Sequence, residues 1–103
     1  MDTKTKIKNV QTVVELIGTK WRGAILLTLS DGPKRFSEIF NELEYIVPGL
    51  LNKELKYLEL NKMIVNRKNT TTRNTVGYSL SARGKAIVPL IEQMHEWAKR
   101  FKP

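Results

Sequence analysis

Cysteine is absent from the 103 residues, which excludes disulfides, thiolate zinc sites, iron–sulfur clusters and thiol-based redox sensing by this chain. There is one histidine, His95, with no second ligand or catalytic partner near it in sequence. No metal site, no bound cofactor and no enzymatic constellation is therefore expected, and glycine-rich phosphate loops and paired carboxylates are missing as well. No apolar run approaches the roughly 18 residues of a membrane-spanning helix. The opening Met1-Asp2-Thr3-Lys4-Thr5-Lys6-Ile7-Lys8 lacks the apolar centre of a signal peptide. The expectation is a soluble cytoplasmic protein forming one domain over residues 1–103.

Acidic residues are the other scarcity. Ten Asp and Glu face 18 Lys and Arg, a net charge of +8, and a pI near 9.9 puts the chain among proteins that meet polyanions. The deficit is uneven: residues 60–91 hold no acidic side chain, while Lys62, Arg67, Lys68, Arg73, Arg83 and Lys85 all fall there. Glu38, Glu42, Glu44, Glu54 and Glu59, and farther on Glu92 and Glu96, lie on stretches that read as helices. These acids are expected to turn away from a nucleic-acid face. A membrane surface or an acidic protein would fit the same charge, so the pattern of elements has to decide.

The most informative stretch covers residues 34–61. Phe36, Ile39, Phe40 and Leu43 recur at helical spacing, with Ser37 placed as an N-cap. After the short link Tyr45-Ile46-Val47, Pro48 opens a second helix at the one position where its missing N–H has no partner to lose. Leu51, Leu55 and Leu58 line one stripe of that helix, while Asn52, Lys53, Lys56 and Tyr57 turn to other sides. Two short helices so joined make a helix-turn-helix over about residues 36–61, whose second helix enters the major groove. An ordinary helical hairpin inside a core would show the same spacing.

Around this centre, Ile7, Val10, Val13, Val14 and Ile17 predict a helix over residues 7–17 that stops at Gly18. Its early Lys4, Lys6 and Lys8 oppose the helix dipole. Thr19 is expected to cap a second helix whose Trp21, Ala24, Ile25, Leu26 and Leu29 cross the core, leaving Lys20 and Arg22 solvated. Beyond residue 61, β-branched and aromatic segments flank a polar run at residues 69–75, which reads as a two-stranded hairpin, a wing over about residues 64–80. Ser81 can cap a last helix over about residues 82–101, with Ile87, Leu90, Ile91, Met94, Trp97, Ala98 and Phe101 in one stripe and a kink expected near Lys85 to Val88 because of Pro89. A domain of this size has too little core to absorb apolar stripes from both ends. Val10, Val14, Ile91, Met94, Trp97 and Phe101 are therefore expected to meet a second copy, making a homodimer through the N- and C-terminal helices.

The order helix, helix, short helix, longer helix, hairpin, helix is that of a winged helix-turn-helix, mainly α with a small β-hairpin (α+β). Four strings resemble the HxlR-type family of bacterial transcriptional regulators. They are Leu16-Ile17-Gly18-Thr19-Lys20-Trp21, Asp31-Gly32-Pro33-Lys34-Arg35-Phe36-Ser37-Glu38-Ile39, Leu55-Lys56-Tyr57-Leu58-Glu59, and Tyr78-Ser79-Leu80-Ser81 with Gly84. The resemblance spans nearly the whole chain and implies a dimeric winged helix that binds operator DNA. Its recognition helix would lie in the major groove and its wing along the backbone or in the minor groove. Three departures stand out. Members commonly carry a cysteine at the place of Lys8, and some sense electrophiles or oxidants with it. The family pattern usually opens the recognition helix with Ile-Ser and polar residues, where this chain has Ile46-Val47-Pro48-Gly49. The arginine usual at the start of the first wing strand falls on Asn66, with Arg67 beside it on the opposite strand face.

These readings converge on a sequence-specific regulator that binds double-stranded DNA as a homodimer and represses, without cysteine-based sensing. Asn52 suits an adenine edge, and Lys53 and Lys56 a guanine edge or a phosphate. Arg35, Ser37, Arg67, Lys68, Thr71 and Arg73 are the expected backbone and wing contacts. The alternative is a winged-helix protein-interaction module with weak or non-specific DNA binding. A small apolar effector would find room between the terminal helices and Trp21, though no polar signature names it.

Overall fold

The helix starts are set locally, by capping side chains at some and by a turn to extended backbone at others. The computed structural model describes residues 2–68 and 76–102, without the side chains of Lys68 and Val76. Helix α1 (Thr3–Ile17) begins earlier than the apolar repeat suggested, because Asp2 caps it: Oδ1 accepts the Thr5 N–H at 2.8 Å. That backbone hydrogen bond also holds the Asp2 carboxyl below the usual aspartate range. Asp2 thus supplies the negative charge that the lysines of the first turns lack. Thr19 then takes its expected part, its hydroxyl accepting the Trp21 and Arg22 N–H groups at 3.3 and 3.2 Å ahead of helix α2 (Arg22–Thr28). A 3-10 turn, Leu29–Asp31, closes α2 before Gly32 and Pro33.

Helix α3 (Phe36–Glu42) is capped at Arg35 rather than at Ser37, which sits in its first turn. The reason lies one residue back. Lys34 is drawn into an extended bridge with Tyr78, its N–H donating to the Tyr78 carbonyl at 2.9 Å and its carbonyl accepting the Tyr78 N–H at 2.7 Å. The chain is therefore still extended at Arg35, whose N–H donates to Glu38 Oε1 at 2.9 Å. After a turn in which Tyr45 takes a φ of +71° and Ile46 is buried, helix α4 (Pro48–Leu60) starts at Pro48 as expected. It ends in a Schellman turn, with Lys62 at φ +61° and the Lys62 and Met63 N–H groups donating to the Glu59 and Leu58 carbonyls at 3.0 and 2.9 Å.

Strands β1 (Ile64–Lys68) and β2 (Val76–Leu80) pair antiparallel, Ile64 opposite Leu80 and Arg67 opposite Gly77. The Lys34 bridge adds a one-residue third strand against β2. Gly77 has a φ of +131°, and a Cβ there would lie 2.8 Å from the Lys34 carbonyl oxygen. Gly77→Ala is accordingly expected to lower the unfolding free energy by about 1–3 kcal/mol in urea titrations, through strain and the forced parting of the bridge. Helix α5 (Ala82–Phe101) is capped by Ser81, whose Oγ accepts the Gly84 N–H at 3.0 Å, and it runs unbroken through Pro89.

The fold is thus mainly α with one antiparallel hairpin, as the sequence pattern indicates. Its core is built from Ile25, Leu26 and Leu29 of the second segment, Ile39 of α3, Leu51, Leu55 and Leu58 of α4, and Met63. Trp21 packs half-buried against it. Ile91 of α5 corrects an expectation: only 6% exposed, it belongs to this core and has almost no surface left for a partner. Its position one helical turn before His95, on the side facing α2, explains the difference.

Candidate nucleic-acid interface

Because Leu51, Leu55 and Leu58 face inward, α4 must present Asn52, Lys53 and Lys56 to solvent, and all three are exposed. Among the described residues, none of the three has a side-chain hydrogen bond or ion pair. Lys34 is different. Its Nζ lies 2.9 Å from both oxygens of Glu42 and 3.0 Å from Asp31 Oδ1. Burial alone would ease its proton off, yet those two carboxylates hold its pKa above the usual lysine value. It is a structural cation, not a free one.

Arg35 and Ser37 are exposed at the start of α3. The Lys34 bridge sets the Arg35 backbone against Gly77, whose strand partner is Arg67. The Arg35 and Arg67 backbones thereby lie on either side of Gly77, one pair before the loop end of the strand ladder. Arg67 is exposed and, with Ser79 and Lys85, borders a shallow depression beside residues 31–33. Asn66, at the place of the family's usual wing arginine, pairs with Tyr78 and shares the inward strand face with Ile64. Lys68 stands opposite Val76 at the end of β1. Thr71 and Arg73 lie outside the described residues.

The sequence reading missed what holds α4 in place. Glu54 is 3% exposed. It accepts a hydrogen bond from the Thr19 hydroxyl and ion-pairs with Arg22, Nε to Oε2 at 3.3 Å. The Arg22 guanidinium lies over the Tyr57 ring, 3.4 Å from its centroid, and donates through Nη1 to the Glu15 carbonyl at 2.7 Å. That carbonyl also accepts the Tyr57 hydroxyl at 3.1 Å. Arg22 is therefore not the solvated cation expected, nor Glu54 a surface acid. Together they clamp the end of α1 and the start of α2 to the middle of α4. A signal was present: Glu54 stands three residues after Leu51 and four before Leu58, inside the buried stripe.

On α1 and α5, Val10, Val14, Leu90, Met94, Trp97 and Phe101 are all exposed. The first four border an apolar groove of about 570 Å³ between α1 and α5. The Trp97 and Phe101 rings lie farther along α5 with centroids 5.4 Å apart.

The family model for HxlR-like helix-turn-helix proteins matches residues 16–103. The chain belongs to that family. It is 33% identical over 97 residues to the HTH-type transcriptional regulator YodB of Bacillus subtilis, covering 94% of this chain and 87% of YodB. It is also 33% identical over 93 residues to an HTH-type transcriptional regulator of Methanothermobacter thermautotrophicus, covering 90% and 71% of the two chains. Among solved structures, quinone-bound YodB superposes with a TM-score of 0.76 at 32% identity, over 98% of this chain and all of that one. The redox regulator HypR in its reduced form gives 0.81 at 30% identity, covering 88% and 90%. As a member of this family the HxlR-type chain is a DNA-binding transcriptional regulator, and its described part has no helix long and apolar enough to cross a membrane.

Proposed function

We propose that the protein is a homodimeric, sequence-specific repressor acting in the cytoplasm, with α4 as its recognition helix and residues 1–103 as a single DNA-binding domain. The observation that carries this reading is the outward face of α4. Asn52, Lys53 and Lys56 are exposed and unpaired among the described residues, on a helix clamped from behind by the Glu54–Arg22 pair. Side chains without partners on a rigid element are suited to reading base edges. Arg35, Ser37, Arg67 and Lys68 supply the phosphate contacts, joined by Thr71 and Arg73 on the strength of their residue types. Val10, Val14, Met94, Trp97 and Phe101 form the seam between copies, Ile91 being excluded by its burial.

YodB has been solved bound to quinone, and HypR is described as a redox regulator. This chain has no cysteine, so its own regulation proceeds without thiol chemistry, and a small apolar effector would bind in the groove between α1 and α5.

Selection of bound duplexes from a random pool tests the proposal, with a two-fold symmetric consensus as the expected result. Lys53→Ala should then change which sequences are preferred, whereas Arg67→Ala should weaken all duplexes alike. With about four phosphates neutralised per copy, the log–log salt slope of the dimer is expected to be roughly −7. The rival reading, a protein-interaction module, draws on the apolar opening of α4. No salt-dependent shift on random duplex would decide for it.

A further inference from the structure

Of the large apolar side chains exposed among the described residues, those on α1 and α5 belong to the proposed seam, while Leu27, Tyr45, Val47, Leu60 and Val65 lie elsewhere. Val47, 61% exposed, stands at the tip of α4 as its N-cap, two residues beyond Tyr45 of the preceding turn. We propose that Val47 is a specificity-determining residue that reads a thymine through its 5-methyl group. The inference rests on α4 being the recognition helix.

Hydrogen-bonding chemistry is missing from this tip. Val47 caps the helix without a side-chain hydrogen bond, Pro48 has no N–H, and Gly49 and Leu50 have no polar side-chain atom. The first side chain able to donate or accept is Asn52. A helix tip of this composition in the major groove can make side-chain contact only with an apolar feature. Base edges there offer one, the thymine methyl.

The tip is also firmly placed. Ile46 before it and Leu51 after it are buried, and the Leu51 N–H donates to the Val47 carbonyl at 3.1 Å.

Gly49 supplies an independent observation. Glycine inside a helix costs stability relative to alanine, roughly 0.5–1 kcal/mol. Nothing in the chain requires it here, since a Cβ at Gly49 would meet no atom within 4 Å and its φ is not in the left-handed region. What the missing side chain provides is open space on the outer face of α4, in line with Lys53 and Lys56 four and seven residues on, so that the double helix can come close at the start of the helix where Val47 stands. Lys53 and Lys56, farther along the same helix, hold the polyanion against that face.

The test uses the duplex selected from the random pool, with each thymine replaced in turn by deoxyuridine, which differs only by the methyl. Affinities are read by fluorescence anisotropy for the wild type, Val47→Ala and Leu60→Ala. Leu60 is an exposed apolar residue at the far end of α4 and serves as the control. One thymine per half-site is expected to show a loss of about fourfold on replacement, the worth of one buried methyl. The loss should shrink below about twofold in Val47→Ala and stay whole in Leu60→Ala. Gly49→Ala should weaken the selected duplex by about tenfold or more while melting no lower than the wild type.

A consensus whose thymines can all be replaced without loss overturns the methyl contact and leaves the regulator reading standing. So does a loss that Val47→Ala leaves unchanged, or a Gly49→Ala protein that binds as before. Failure to select any consensus removes the recognition helix itself, and this inference with it.

Discussion

Glu54→Ala is expected to lower the unfolding free energy by about 3–5 kcal/mol, a large part of the stability of a domain this size. The substitution does more than delete a contact. It leaves the Arg22 guanidinium enclosed, its side chain only 16% exposed, against the Tyr57 ring with no counter-charge. It also strips the Thr19 hydroxyl of its acceptor. Arg22 would have to swing out to water, abandoning its bond to the Glu15 carbonyl and loosening α1 from α4. Glu54→Gln keeps an acceptor for Thr19 but not the charge, so its loss should be smaller. Joint replacement by apolar residues, Glu54→Leu with Arg22→Met, should recover much of the stability, since a buried pair exchanged as a unit is often close to neutral. Urea titrations of the three variants check this order. Equal losses for Glu54→Ala and the joint variant would show that shape, not unbalanced charge, is what the site supplies.

That clamp marks where sequence reading ended. Periodicity carried far: the leucine stripe of α4, Pro48 at its start, Thr19 and Ser81 as caps and the hairpin strands all follow from local spacing, and the structure has them. What failed depended on partners distant in the chain. Ser37 looked like a cap on local grounds, but Tyr78, across the sheet, keeps Lys34 extended and moves the cap to Arg35. Arg22 and Glu54 each read as surface charge, because a polar residue is placed inside only by a partner of opposite sign 32 residues away. Ile91 and Met94 share one apolar stripe in the sequence, yet α2 covers only the first of them. The outward residues of α4 were legible for a simple reason. Once a helix has one buried stripe, its opposite face is fixed by geometry.

The second large effect is expected at the seam. In the homodimer proposed above, Trp97→Glu should part the copies and reduce affinity for a two-half-site duplex by about 10²–10⁴-fold, the range over which linking two binding modules raises affinity. Trp97 is 63% exposed within its own chain, and its main aromatic neighbour, Phe101, is 57% exposed. The change therefore removes little from the fold, and the variant should keep the wild-type helix content. A carboxylate introduced there would have to be desolvated among the apolar side chains of the proposed seam, which costs more than an apolar contact returns. Ile91→Ala makes the useful contrast. Buried in its own chain, it should cost about 2–5 kcal/mol of stability and act on assembly only through folding. Sedimentation and anisotropy on full and half-site duplexes separate the cases. Trp97→Glu should bind an isolated half-site as the wild type does and lose only the gain from the second. If the monomer bound the full duplex with undiminished affinity, the two α4 helices of the dimer could not be engaging one duplex together, and α1 and α5 would be holding the copies for some other purpose.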